Sequence, residues 1–191
     1  MGRKRASFFL ARIQLKYIDK TVELWYQDES RFGQQGYLSY RWQKKGKRTE
    51  CIKQQEFENT YYYGAINPSN GDKFSLLFPY CNSETTSYFL NKLSDKIGSD
   101  KIAVLIMDQA GWHKSKTLKI PNNIKVFHLP PYSPQLNPIE RVWQYLKKKY
   151  LSNRVFNSYE HILDSGCEAW NFLSNNIIKS ISGNYLSVSS H

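Results

Sequence analysis

The sequence predicts an α/β fold, a mixed central sheet of about five strands flanked by helices. Three observations carry that reading. TYYYGAINPSNGDKFSLLFPY, at 60–80, is two strand-like runs around Asn70-Gly71, a strong hairpin signal. KIAVLIMD (101–108) and IKVFHL (124–129) are short apolar runs of the kind that form buried strands. The segments around and after them carry helical spacing. Hairpin-linked strands run antiparallel and helix-separated strands run parallel, so the sheet is mixed.

Each element follows from its own pattern. Residues 1–20 form a basic helix or linker. TVELWYQDES (21–30) alternates, with Val22, Leu24, Tyr26 and Asp28 on one face of a strand. RFGQQGYLSYRWQKKGKRTE (31–50) combines glycines with clustered cations and reads as an irregular, solvated stretch. From about Ser83 to Ile97, residues Phe89, Leu90, Leu93 and Ile97 share one helical face. A short helix is expected between the two apolar strands. Pro138 opens a helix to about Tyr150, with Asn137 as its N-cap. A last helix, about Tyr159 to Leu173, turns Ile162, Leu163, Cys167, Trp170 and Leu173 inward and is capped by Asn157 with Glu160. These patterns divide the chain into a basic N-terminal segment (1–20), one folded domain (21–175) and a polar C-terminal tail (176–191).

The 191 residues are 40% hydrophobic and 15% aromatic, enough for one domain with a real core. Against 16 acidic residues stand 27 lysines and arginines, a net charge of +11. That excess points to a polyanionic partner, nucleic acid first and an anionic membrane surface second. No apolar run reaches bilayer length, and the N-terminal apolar stretch is too short for a signal peptide, so a soluble intracellular protein is expected. The three cysteines, Cys51, Cys81 and Cys167, lie far apart with no C-x-x-C pair, which argues against a disulfide framework or structural zinc and for neutral or buried thiols.

Three carboxylates stand out. Asp28 and Asp108 end strands, and the carboxyl ends of strands are where open α/β folds build their sites. Asp108 ends an apolar run, a poor setting for a merely solvated acid. Glu140 follows LPPYSPQLNPI, where four prolines fix the backbone ahead of a helix. A capping-box glutamate needs no such stiffening, whereas a ligand whose position must hold does. Together the three would repel one another unless a cation intervened. All-oxygen anionic ligands select Mg²⁺ or Mn²⁺, and two such ions can activate a water or hydroxyl in phosphodiester cleavage. Lys147, Lys148 and Lys149 on the Glu140 helix, with Arg41, Lys44, Lys45, Lys47 and Arg48 after the first strand, are candidate DNA-phosphate contacts. Trp42 and Trp112 could stack on exposed bases, while Trp143 reads as core packing.

WYQDESRFG, MDQAGWHKS and LPPYSPQLNPIERVWQYLK resemble the three signature blocks of DDE transposases of the mariner-like superfamily, in the bacterial insertion-sequence branch. The resemblance covers roughly residues 22–150. It implies a ribonuclease H-like fold, two Mg²⁺ or Mn²⁺ ions, and DNA cleavage and rejoining at transposon ends. It also implies that Asp28, Asp108 and Glu140 are the catalytic metal ligands, with His113 and Asn137 as candidate orienting residues. Relatives carry helix-turn-helix modules ahead of this domain. Only about 20 basic residues precede it here, so a catalytic half is expected, a cytoplasmic, nucleoid-associated bacterial protein working through self-association or with a partner that supplies the helix-turn-helix. Two other readings stay open: another ribonuclease H-like nuclease, separable by its products on an RNA–DNA hybrid, and a non-catalytic DNA-binding remnant, separable by a Mn²⁺-dependent nicking assay.

Overall fold

The computed structural model describes residues 2–34, 58–152 and 154–183. Five strands, β1 (Thr21–Gly33), β2 (Asn59–Ile66), β3 (Lys73–Phe78), β4 (Lys101–Met107) and β5 (Ile124–His128), form one sheet in the order β3-β2-β1-β4-β5. The helices are α1 (Gly2–Lys16), α2 (Ser83–Ile97), α3 (Ile139–Leu146), α4 (Tyr159–Asn171) and α5 (Asn175–Ser182). A 3₁₀ turn at Gly111–Lys114 takes the place of the short helix expected between the apolar strands, and a wider π turn over Lys147–Leu151 extends α3.

The hairpin places β2 antiparallel to both β1 and β3, and Gly71 takes φ 79° in its turn, as a residue without Cβ can. The later strands run parallel, β1 against β4 with Tyr26 opposite Ile106, and β4 against β5 with Met107 opposite His128. Side-chain alternation then splits the core in two. Leu24, Tyr26, Val104 and Ile106 face α1, α3, α4 and α5, while Trp25, Ala103, Leu105 and Met107 face α2 through Phe89, Leu90, Leu93 and Ile97.

Five sequence expectations are corrected. β1 runs on through Ser30 to Gly33, because its pairing with β2 continues after its pairing with β4 has ended, so Asp28 lies inside the strand and not at its end. Asn137 contributes no side-chain cap to α3, whose N-cap is Pro138, since its amide is turned toward β1. Ser158, and not Asn157, caps α4, accepting from the His161 N–H. On that helix Cys167 is exposed and Gly166 faces inward, because the rings of Phe32 and Tyr62 occupy the space there and Tyr62 Oη donates to the Gly166 carbonyl. Beyond residue 175, where a polar tail was expected, α5 forms and buries Ile178, with Ser174 accepting from the Ile177 N–H at its start. Cys81 is half-buried and, like Cys167, free. Cys51, Trp42 and the cations Arg41, Lys44, Lys45, Lys47 and Arg48 lie outside the described residues. Among the described residues no helix is long and apolar enough to cross a membrane.

Candidate active site

Parallel pairing brings two of the acids to one sheet end. Continuing the β1–β4 register by two residues sets Asp28 level with Asp108. The proline-rich segment after β5 then turns back across this end and delivers Glu140 in the first turn of α3. Asp28, Asp108 and Glu140 all line one cavity of about 470 Å³, together with Lys114, Asn137 and Tyr132.

Each acid has its own setting. Asp28 points to the α3 side of the sheet, where the Trp143 indole N–H donates to its Oδ2 at 3.0 Å. Burial pushes its carboxyl well above the usual range, and the charges of Glu140 and Glu29 add to that. Glu140 is also held above its ordinary value, by burial first; Lys147 opposes the rise and Asp108 adds to it. Asp108 is exposed and behaves oppositely. Its Oδ1 accepts from His113 Nδ1 at 2.7 Å and from the Ala110 N–H at 2.9 Å, and these bonds, the His113 one first, hold its carboxyl below the usual range. Both land on one oxygen, which leaves Oδ2 to the cavity.

A residue that sequence reasoning did not single out completes this arrangement. Glu29 lies on the opposite face of β1 from Asp28, and its Oε1 meets His113 Nε2 at 2.9 Å and accepts from Gln27 Nε2 at 2.9 Å. The His113 ring is buried between two carboxylates. Burial works against its charged form, but the bonds to Asp108 and Glu29 outweigh it and raise the imidazole to about 9. His113 thus bridges Glu29 and Asp108, and the two carboxylates favour its charged form. The signal in the sequence was the adjacency Asp28-Glu29: in a strand, neighbours face opposite sides, so one residue could serve each side of the site. Asn137, buried at the cavity wall, donates Nδ2 to the Gln27 carbonyl at 2.9 Å and ties the start of α3 to β1 beside Asp28. Its Oδ1, like Gln27 Oε1, is buried with no hydrogen-bond partner.

The candidate cations divide. Lys147 is half-buried and close enough to Glu140 to lower its carboxyl. Lys148 is exposed. Lys149 folds back, donating to Tyr145 Oη at 2.8 Å and lying over the Tyr145 and Tyr150 rings. Lys114, absent from the sequence reading, lines the cavity itself. Trp143, read as core packing, is indeed buried, yet its N–H serves the site. Tyr132, on the cavity's rim, is fully exposed and takes φ 54°, a left-handed conformation that for a bulky L-residue costs roughly 1–3 kcal/mol.

The donor set is all oxygen and anionic, which suits Mg²⁺ or Mn²⁺. Among the described residues no three carboxylate, imidazole or thiol groups already converge as a closed metal cage. The fit therefore rests on the chemistry of the three acids and on the cavity they share.

Residues 23–163 match the DDE superfamily endonuclease family. The chain is 44% identical over 113 residues to the uncharacterized protein y4pE/y4sA of Sinorhizobium fredii, covering 59% of this chain and 84% of that one. It is 28% identical over 147 residues to the insertion element IS630 uncharacterized 39 kDa protein of Shigella sonnei, covering 73% of this chain and 42% of that one. Among solved structures, the Mos1 transposase paired-end complex with left transposon end superposes with a TM-score of 0.65 at 14% identity, and the Mos1 strand transfer complex with 0.63 at 16%. In both, the match covers 94% of this chain and 56% of the Mos1 chain. The fold, a mixed five-stranded sheet between helical layers, is ribonuclease H-like, as the sequence resemblance implied.

Proposed function

The chain belongs to the DDE superfamily endonuclease family, and from that membership we propose that it is a transposase catalytic domain, which cuts DNA at the ends of a mobile element and joins them to target DNA. The observation that carries this reading is the meeting of Asp28, Asp108 and Glu140, from three separate segments, in one cavity on a basic chain.

In this reading those three carboxylates hold two Mg²⁺ or Mn²⁺ ions, which would supply activation of the attacking oxygen and stabilisation of the leaving one. The protein's own residues fix the ligands. His113 Nδ1 and the Ala110 N–H occupy one oxygen of Asp108 and present the other to the cavity. Trp143 and Asn137 lock α3, and with it Glu140, against β1. Such supporting contacts orient metal ligands and hold them for binding. Lys114 and Lys147 place positive charge beside the acids, where a phosphodiester must lie. Lys148 and Lys149 add further charge on the segment that follows α3, and Arg41, Lys44, Lys45, Lys47 and Arg48 are candidate phosphate contacts by their charge alone. Water displaces the 3′-oxygen from a phosphodiester at the element's end, leaving a 3′-hydroxyl and a 5′-phosphate. The freed 3′-hydroxyl then displaces a 3′-oxygen of the target, one phosphodiester forming as another breaks. DNA is thus both substrate and partner, with a second copy or a sequence-reading helix-turn-helix protein as the further partner. The relatives being bacterial, the place of action is the cytoplasm, at the nucleoid.

The test is to incubate the protein with a plasmid carrying the ends of its element and with Mn²⁺, then to map the broken and joined strands. Nicks ending in a 3′-hydroxyl, followed by joined products, are expected. Preferential cutting of the RNA strand of a hybrid would instead mark another nuclease, and DNA binding without any cutting a non-catalytic remnant.

A further inference from the structure

Tyr132 is the one described residue other than glycine with a positive φ, 54°, and its side chain is fully exposed. It lines the same cavity as Asp28, Asp108 and Glu140. Neither feature serves the fold. A bulky L-residue in the left-handed region is strained, and glycine or asparagine would sit there more readily. Packing of the ring could compensate for that strain, but a ring wholly in solvent packs on nothing. The loop around it is also stiff. Pro130 and Pro131 precede Tyr132 and Pro134 follows it, each with φ fixed by its ring, and Ser133 Oγ donates to the Pro131 carbonyl at 3.2 Å. The backbone therefore directs a flat aromatic ring outward at the rim of an acidic cavity.

We propose that Tyr132 is a stacking platform for an unpaired nucleobase next to the scissile phosphate. The inference rests on reading the cavity as a nuclease site. The cavity's acids with their metals, and Lys114 beside them, take the phosphate, so the base next to it needs a contact of its own, and stacking on an aromatic ring accepts any base. Bases in an intact duplex have their faces covered by neighbours. The ring thus selects ends whose terminal bases are splayed, and it positions the strand without itself touching the reacting atoms.

The test places the fluorescent base 2-aminopurine beside the scissile phosphate, in an Asp108→Asn background so that the DNA stays uncut. Quenching on binding is expected with Tyr132 and with Tyr132→Phe, and its loss with Tyr132→Ala and Tyr132→Gly. Affinity for an end with an unpaired flank should fall about tenfold in the last two variants, against less than about twofold for a fully paired duplex. Wild-type quenching in Tyr132→Ala overturns the proposal. So does a Tyr132→Gly variant with wild-type affinity, because glycine keeps the backbone conformation and removes the ring. If the wild-type chain nicks DNA but shows no quenching, the stacking role alone fails. If it neither binds nor nicks DNA, the nuclease reading fails, and the stacking role with it.

Discussion

The indole N–H of Trp143 donates to Asp28 at 3.0 Å, so the helix that delivers Glu140 to the cavity also holds another of its acids. Trp143 follows Glu140 by three residues, and positions so spaced share a helix face. A shift of α3 would therefore disturb two of the three acids at once.

Trp143→Phe should remove that hydrogen bond while keeping most of the ring's packing against Tyr62 and Trp170. A hydrogen bond to a charged group contributes about 1.5–3 kcal/mol, and a loss of that order is expected in chemical denaturation. Nicking should fall by more than the unfolded fraction accounts for, since Asp28 loses its fixed orientation.

Gly64 of β2 lies directly under Trp143. A Cβ added there would come within 2.4 Å of Trp143 Cη2 and 3.2 Å of Ile139 Cδ1. Gly64→Ala should therefore destabilise by about 1–3 kcal/mol and lower activity by lifting α3. Gly111→Ala is the control: a Cβ at that position meets nothing within 4 Å, and stability should change by less than about 0.5 kcal/mol in the same denaturation assay.

Most of this arrangement was legible in local sequence, and the exceptions have physical causes. Pro138 and the apolar run ending at Asp108 announce their acids because stiff backbone and strand ends are local properties. The contacts that fix the acids are not local: Glu29 meets His113 across 84 residues, and Trp143 meets Asp28 across 115. Register decides them, and register is a property of the whole sheet. Cys167 fits the apolar spacing of Leu163 and Trp170, while the inward position belongs to Gly166, chosen for lack of volume. α5 was overlooked because its serines and asparagines hide the Ile177, Ile178 and Ile181 stripe. Asn137 looked like an N-cap because its type and place suit one, yet its amide is taken by the Gln27 carbonyl.

Asp28→Asn should abolish nicking and yet stabilise the metal-free fold at neutral pH. The folded-state pKa of Asp28 lies well above its unfolded value. Such a group contributes most to stability below the unfolded pKa, near 3.9, and that contribution is lost as pH rises through the folded pKa. Asparagine does not ionise and can still accept from Trp143. With EDTA present, the variant's melting temperature should exceed wild type by an amount that grows from pH 4 to pH 8, reaching on the order of 2–4 °C if about 1 kcal/mol is recovered. A difference independent of pH would contradict this account.

Glu29→Gln should weaken metal binding without removing a ligand. It takes one carboxylate from the His113 clamp, so the imidazole holds Asp108 less firmly. Loss of an outer contact of this kind typically lowers metal affinity or activity about 10–100-fold. A Mn²⁺ titration of the nicking rate should show the loss mainly as a higher metal requirement, with DNA binding unchanged.

Under the proposed function Asp28, Asp108 and Glu140 act as one metal-dependent site. The most direct measurement compares Mn²⁺-dependent nicking by wild type, Asp28→Asn, Asp108→Asn and Glu140→Gln at matched DNA occupancy. Each single variant is predicted to lose at least about 10³-fold in rate while keeping affinity for DNA, because removing one anionic ligand removes metal and not phosphate contacts. A wild-type rate in any one of the three would contradict the assignment.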